Sequence, residues 1–132
     1  FKALGLSTRV VGVAVQKPAA FMVPLIVERA NAAAQLLGLA VRLEAHDFDI
    51  DDRQLGGGYG VPTQEAVEAI LLGGRTEALV LDPIYSGKAF GGMVAQVREG
   101  RWRGAAPLVF FHSGGAPGLF ASATQIAQWL PR

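Results

Sequence analysis

Short, continuous runs of β-branched and apolar residues alternate along the chain with segments that have a helical pattern. The runs are RVVGVAV (residues 9–15), ALVLD (78–82) and PLVFFH (107–112). Such runs are typical of strands buried on both faces, and parallel strands are joined by helical crossovers. The alternation therefore predicts the α/β class, as a three-layer structure with a mainly parallel sheet, helices on both faces and right-handed crossovers.

Four segments have the length and apolar spacing of helices: residues 19–38, 62–75, 86–100 and 114–130. Gly38 is a typical helix terminator, and Thr63 is a typical N-cap for the helix that follows it. The glycine-rich stretch 55–62 is predicted to be a loop, because three consecutive glycines and a proline favour little else. Residues 41–50 predict one or two short strand-like pieces.

Composition limits the class of protein. The chain has 132 residues, of which 51% are hydrophobic and 17% are charged. These values are typical of one folded domain, so residues 1–132 are predicted to form a single domain. The net charge is +1 and no basic block is present, which disfavours nucleic acid and membrane surfaces as partners. The absence of cysteine excludes disulfides and thiolate metal sites.

The longest apolar stretch, near residues 19–40, is interrupted by proline and charged residues, so it does not predict a membrane span. The chain opens FKALGLSTRV, without Met, and its first residues have the pattern of the end of a helix. We therefore expect a piece of a longer protein, with a processed or trimmed chain as the alternative.

Polar and aromatic residues follow two of the predicted strands, 78–82 and 107–112. Ligands of open parallel sheets bind outside the carboxyl ends of the strands, so these two exits are predicted to face one pocket. A tyrosine ring offers a flat face, and a serine hydroxyl donates or accepts a hydrogen bond. Tyr59, in the glycine-rich loop, is a further candidate. The candidates at the two exits are Tyr85, Ser86, Ser113 and Gly114.

Each candidate also has a purely structural interpretation. Tyr85 fits a packed residue with a hydrated hydroxyl, the two serines fit helix caps, and Gly114 fits a tight turn. Lys88 is predicted to be a solvated helix residue. His112 is predicted to be a core residue with satisfied hydrogen bonds. Neither His112 nor His46 has a second histidine at ligand spacing, so no metal site is predicted.

The common phosphate and nucleophile motifs are absent from the sequence. It contains no Walker loop, no G-x-S-x-G elbow and no G-x-G-x-x-G that opens a helix after a strand. Residue types and spacing alone therefore predict an α/β domain with a ligand pocket at the strand ends.

Several stretches together resemble the carboxyl-terminal part of the D-cysteine desulfhydrase and 1-aminocyclopropane-1-carboxylate (ACC) deaminase family. They occur in family order and at family spacing and, with the opening FKALGLSTRVVGVAV, cover essentially the whole chain. The stretches are GGGYGVPTQEAVEAI (56–70), GRTEA (74–78), LDPIYSGKAFGGM (81–93) and VFFHSGGAPGLFA (109–121). The resemblance implies part of the large domain of a fold-type-II enzyme, with pyridoxal phosphate as cofactor.

The resemblance also implies roles for individual residues. Tyr85 would lie against the pyridine ring, Ser113 would place its hydroxyl at the pyridine nitrogen, and Tyr59 would face the substrate. Tyr59 and Tyr85 would be the catalytic residues that this chain supplies, and Ser86 and Gly114 would help to bind the cofactor. The implied protein is a cytoplasmic lyase that acts on a small amino acid and is usually a homodimer.

Two positions distinguish the activities within the family. ACC deaminases resemble this chain but carry Glu after the Tyr of D-P-x-Y and Leu after the His of H-x-G-G, whereas desulfhydrase-type members carry hydroxyl residues at both. Here the two positions are Ser86 and Ser113. The resemblance therefore favours a D-cysteine desulfhydrase, which forms pyruvate, sulfide and ammonia, with ACC deaminase as the alternative.

The chain departs from the family in what it lacks. The Schiff-base lysine and the phosphate-binding loop of the family lie upstream of the stretches that match. The lysines present are Lys2, Lys17 and Lys88, and the family's motif does not assign Lys88 to the cofactor. The chain alone is therefore predicted to be inactive. A non-catalytic α/β remnant is the alternative from another class, and a flavodoxin-like phosphate-binding module is a third interpretation.

Overall fold

The computed structural model describes residues 1–104 and 107–130. Its secondary structure is an α/β arrangement with short strands and longer helices. The strands are β1 (Val11–Val13) and β2 (Asp49–Asp51), and the helices are α1 (Ala19–Leu36), α2 (Gln64–Glu77), α3 (Ser86–Arg98), α4 (Ala116–Ala121) and α5 (Ala123–Ala127). Single 3₁₀ turns lie at Lys2–Leu4 and Ala45–Asp47.

The sheet of the described residues is a parallel pair, in which β1 lies beside β2 with Val11 opposite Asp49 and Val13 opposite Asp51. Helix α1 connects the two strands, so residues 11–51 form a β-α-β unit. Gly12 allows close packing in this pair, because a Cβ at that position would lie 2.8 Å from Ile50 Cδ1 and the end of the Ile50 side chain would have to shift. The predicted α/β class with a parallel sheet is thus confirmed, although β1 is shorter than the run 9–15.

Two predicted strands, 78–82 and 107–112, do not form in the described part of the chain. A strand requires a neighbouring strand as its hydrogen-bonding partner, and the bonds recorded at the ends of these segments are side-chain contacts rather than a strand ladder. The backbone N–H of Asp82 donates to Ser86 Oγ, and the carbonyl of Val80 bonds to the His112 ring. The run 78–82 correctly indicated burial, since Leu81 lies in the core, whereas most of 107–112 is exposed, and neither run established strand pairing.

The predicted helices largely form where they were expected. Helix α1 ends just before Gly38, which has a positive φ of 66°. Thr63 is the N-cap of α2, and its Oγ1 accepts a hydrogen bond from the backbone N–H of Ala66 at 3.1 Å. The predicted single helix 114–130 is wrong, because the backbone breaks at Ser122 into α4 and α5.

The core lies where α2 packs against α3. Ala69 and Ile70 of α2 meet Phe90 of α3, with Leu81 buried beside them. The two helices approach closely at Gly91, where a Cβ would lie 3.1 Å from the carbonyl oxygen of Glu65. This contact fixes the position of α3, whose first turn carries the candidate site. None of the helices described is both long and apolar enough to cross a membrane.

Candidate active site

Asp82 organises the turn that leads into α3. Its side chain is buried, and its two carboxylate oxygens accept hydrogen bonds at 2.7–2.9 Å from four donors. The donors are the backbone N–H groups of Ile84, Tyr85 and Ser86 and the hydroxyl of Ser86. The carboxylate therefore satisfies N–H groups that the start of a helix otherwise leaves unpaired.

Burial by itself raises the pKa of Asp82, because a low-dielectric environment disfavours the charged form. The hydrogen bonds from Ser86, Tyr85 and Ile84 outweigh this effect and hold the pKa below its ordinary value of 3.8. Asp82 is thus a charged structural residue at neutral pH. Our interpretation of the sequence did not single out its role. The Asp-Pro pair just before a helical pattern is a signal that could have found it.

Ser86 faces Asp82. Its hydroxyl donates to Asp82 Oδ1 at 2.7 Å and accepts from the Asp82 N–H at 2.9 Å. Ser86 is 4% exposed, but it is not the helix cap that the sequence allowed, because the N-cap of α3 is Tyr85 and the Ser86 hydroxyl bonds back to Asp82. Its contribution to cofactor binding remains a prediction.

Tyr59 and Tyr85 form a pair on the surface. Their hydroxyls are hydrogen-bonded, and their rings lie edge to face with centroids 6.0 Å apart. About half of each residue is exposed, at 55% and 48% respectively. The hydrogen bond between the two hydroxyls raises the pKa of Tyr85, with smaller contributions from burial and from the Asp82 charge. The structure therefore brings together the two tyrosines that the sequence singled out separately.

The loop with Ser113 and Gly114 follows the extended segment 107–112. Gly114 donates its N–H to His112 Nδ1 at 3.0 Å, and His112 Nε2 lies 3.1 Å from the carbonyl oxygen of Val80. Since Nδ1 acts as an acceptor, Nε2 carries the proton and donates to Val80. The hydrogen bonds of His112 are satisfied as predicted, but the core position is wrong because the residue is exposed. Ser113 is also exposed.

The two loops meet at Asp82. Gly115, two residues after Ser113, packs so closely that a Cβ there would overlap Asp82 Oδ1. The neighbouring Gly118 would place a Cβ 3.2 Å from the Cβ of Asp82. Asp82 therefore joins the segment that carries Tyr85 to the segment that carries Ser113. The pocket predicted between the two exits remains a prediction.

The burial of Lys88 contradicts one prediction. Lys88 was expected to be a solvated helix residue, but none of its surface is exposed. Its Nζ donates to the carbonyl of Leu55 at 2.9 Å and lies 3.5 Å from the carbonyl oxygen of Gly58. Burial lowers its pKa. The prediction failed because the glycine-rich loop covers this face of α3, and a local pattern does not show such a contact.

Replacing Tyr59 with phenylalanine is expected to lower the pKa of Tyr85 toward its ordinary value, because the substitution removes the hydroxyl that is the largest cause of the shift. The chain contains two tyrosines, so this variant leaves one to observe. The ultraviolet absorbance of tyrosinate, followed against pH, would measure the pKa of Tyr85. Phe21→Tyr on α1, combined with Tyr59→Phe, supplies an exposed reference tyrosine. An unchanged Tyr85 titration would contradict the observed pair.

A family model described as pyridoxal-phosphate dependent enzyme matches residues 1–114 of the chain. A solved structure, described as an ACC deaminase homologue, superposes with a TM-score of 0.85 at 32% sequence identity. The match covers 96% of this chain but 37% of that structure, so the chain spans well under half of the length of that relative. The chain therefore belongs to the pyridoxal-phosphate-dependent enzymes, whose cofactor is pyridoxal phosphate.

Proposed function

We propose that this chain forms the wall beside the cofactor ring in a pyridoxal-phosphate enzyme that deaminates a small amino acid, with D-cysteine as the leading substrate. The observation that carries the proposal is the junction at Asp82, where the exposed Tyr85 ring and the loop of Ser113 are held by one buried carboxylate. The whole enzyme would contain further residues that bind the phosphate group and the substrate.

The residues at this junction fit the cofactor ring. Tyr85 offers an aromatic surface that is half exposed, and Ser113 is an exposed residue with a neutral hydroxyl. The carboxylate at the junction, Asp82, already accepts four hydrogen bonds and is 1% exposed. We assign the pyridine nitrogen to the Ser113 hydroxyl, as the resemblance to the family implies. A hydroxyl does not hold that nitrogen protonated as a carboxylate would.

When bound, pyridoxal phosphate supplies an electron sink for the bond broken at the substrate Cα. The Ser113 hydroxyl would accept or donate one hydrogen bond at the ring nitrogen, and Tyr85 would hold the ring by stacking. A cofactor ring whose nitrogen is not held protonated is a weaker electron sink. Such a ring suits β-elimination, because the departing thiolate takes up the electron pair. Tyr85 Oη is protonated at neutral pH, as in an ordinary tyrosine, and the raised pKa favours this form, so the hydroxyl is available as a hydrogen-bond donor there.

Ser86 and Ser113 support D-cysteine as the substrate, because similar ACC deaminases carry Glu and Leu at these positions. ACC is the second candidate, supported by the similarity to the structure described as an ACC deaminase homologue. The proposal includes a homodimer in the cytoplasm, as in the family that the sequence resembles. Light scattering of the complete protein would test its oligomeric state.

The complete protein should be assayed with D-cysteine, L-cysteine and ACC in parallel. We expect sulfide and pyruvate from D-cysteine. Formation of 2-oxobutanoate from ACC without sulfide from D-cysteine would support the second candidate, and no product from any of the three would support a non-catalytic remnant. Ser113→Ala should lower kcat/KM by roughly tenfold or more, as expected for one lost hydrogen bond to the cofactor. The exposed Ser7→Ala serves as the matched control.

Pyridoxal phosphate followed by borohydride is expected to give no stoichiometric adduct at Lys88 in the isolated chain. The physical reason is that the Lys88 ammonium is buried and hydrogen-bonded to backbone carbonyls, which leaves it unavailable as a nucleophile. Intact mass and peptide mapping would measure the adduct. The exposed Lys17 reports non-specific labelling. A single specific adduct at Lys88 would contradict the proposal that the covalent lysine lies outside this chain.

A further inference from the structure

Lys88 is a buried cation for which the proposed chemistry has no use. Among the ion pairs between described residues, none involves Lys88. Burying a cation costs free energy unless hydrogen bonds replace its hydration. The acceptors that replace it are the backbone carbonyls of Leu55 and Gly58 in the glycine-rich loop.

The loop needs such an anchor. Gly56, Gly58 and Gly60 all have positive φ, so the unfolded loop has many accessible conformations to lose. Its own turn hydrogen bonds are long, at 3.4 Å from Gly58 N to Leu55 O and 3.3 Å from Val61 N to Gly58 O. The Lys88 ammonium bonds to the same two carbonyls and therefore stabilises both turns together.

The position of Lys88 on α3 connects this anchor to the tyrosine pair. Tyr85 precedes the first residue of α3, and Lys88 lies three residues later, one helical turn along. Tyr59 follows Gly58, whose carbonyl faces the Lys88 ammonium. One turn of α3 thus carries Tyr85 directly and holds Tyr59 through the loop.

We propose that Lys88 is a positioning residue, which holds Tyr59 against Tyr85 by hydrogen bonding to the carbonyls of Leu55 and Gly58. It acts through Tyr59 and does not touch the substrate itself. The effect on turnover rests on the proposed function, in which Tyr59 faces the substrate. The effect on the tyrosine pair does not, because it is a property of the chain without cofactor.

The first test is the tyrosinate titration in the absence of cofactor. Lys88→Met keeps an unbranched side chain as far as Cε and removes the ammonium, and Lys17→Met makes the same change at an exposed site. We expect Lys88→Met to lower the pKa of Tyr85 as Tyr59→Phe does, and Lys17→Met to leave it unchanged. A Lys88→Met variant with a native circular dichroism spectrum and an unchanged Tyr85 titration would overturn the proposal.

The second test is a double-mutant cycle on kcat/KM in the complete enzyme. If Lys88 acts through Tyr59, the loss in Lys88→Met/Tyr59→Phe equals the loss in Tyr59→Phe alone. If the losses in kcat/KM of the two single variants multiply in the double variant, Lys88 has a structural effect separate from Tyr59, and the proposal is overturned. Absence of turnover with every substrate would count against the proposed function only, because the titration still decides the role of Lys88.

A variant that retains a donor covers the case in which Lys88→Met does not fold. Lys88→Gln keeps an N–H donor for one carbonyl, and its Tyr85 titration is expected to lie between those of the wild type and Tyr59→Phe. In the wild-type chain, reductive methylation should modify Lys17 and leave Lys88 protected. Methylation of Lys88 at the rate of Lys17 in the folded chain would overturn the proposal without any substitution.

Discussion

Asp82→Ala is expected to lower the free energy of unfolding by roughly 3–5 kcal/mol, the largest effect of any single substitution at the site. The reason is that four hydrogen bonds end on this carboxylate, which is 1% exposed. Alanine would leave the N–H groups of Ile84, Tyr85 and Ser86 without their acceptor at the start of α3. Urea unfolding followed by circular dichroism would measure the loss.

Two further variants of Asp82 and its surroundings sharpen this test. Asp82→Asn keeps one oxygen acceptor, so its loss should be smaller than that of Asp82→Ala. Glu77→Ala removes an exposed carboxylate at the end of α2 and should change stability by less than about 0.5 kcal/mol. A similar loss in Asp82→Ala and Glu77→Ala would contradict the role assigned to Asp82.

The Asp82 carboxylate is also expected to make the free energy of unfolding sensitive to acid. Since the pKa of Asp82 lies below its ordinary value of 3.8 in the folded chain, the stabilisation is present above that value. This stabilisation is lost as the pH falls through the lower pKa of the folded state. The reason is that Asp82 binds a proton more readily in the unfolded chain than in the folded chain. Asp82→Asn should remove this part of the pH dependence.

Gly115→Ala is expected to lower the free energy of unfolding by roughly 3 kcal/mol or more. Two effects contribute. The φ of Gly115 is 106°, a conformation that is strained for residues with a Cβ, and that Cβ would overlap Asp82 Oδ1. The loop would have to move away from the carboxylate that holds the Tyr85 turn. Urea unfolding again provides the measurement.

Gly114→Ala is the matched control for this contact. Gly114 has a similar φ of 113°, but a Cβ there would meet nothing within 4 Å. Its substitution therefore measures the backbone strain alone, on the order of 1–2 kcal/mol. The excess loss in Gly115→Ala reports the overlap with Asp82. Equal losses would show that the 113–118 loop does not pack on Asp82 as the structure has it.

One buried carboxylate and one buried ammonium hold different parts of the site. Asp82 binds the backbone N–H groups of one turn and packs against Gly115 of the other loop, whereas Lys88 binds the carbonyls of the glycine-rich loop. Both charges are used structurally, which leaves neutral hydroxyls at the surface. This arrangement supports a cofactor site that relies on stacking and on neutral hydrogen bonds.

Much of the fold was predictable from local patterns. The cap at Thr63 and the glycine after α1 mark helix ends within a few residues, so α1, α2 and α3 form close to their predicted bounds. Whether 78–82 and 107–112 form strands was not predictable from local patterns. An apolar run does not show which backbone would be its hydrogen-bonding partner. The site shows the same contrast, since Tyr59, Tyr85 and Ser113 could be singled out by type, but the role of Asp82 as the buried acceptor of the turn was not predicted.

The sequence by itself determined the α/β class, the order of the helices and the motifs that resemble the pyridoxal-phosphate family. Each of these depends on residues that are close together along the chain. Only the tertiary structure decided that Lys88 is buried, that Tyr59 pairs with Tyr85 and that Asp82 meets Gly115. The contacts of Lys88 with Leu55 and of Tyr59 with Tyr85 join residues 33 and 26 positions apart. No local pattern encodes such contacts, because they form only when α3 packs and the loop closes over it.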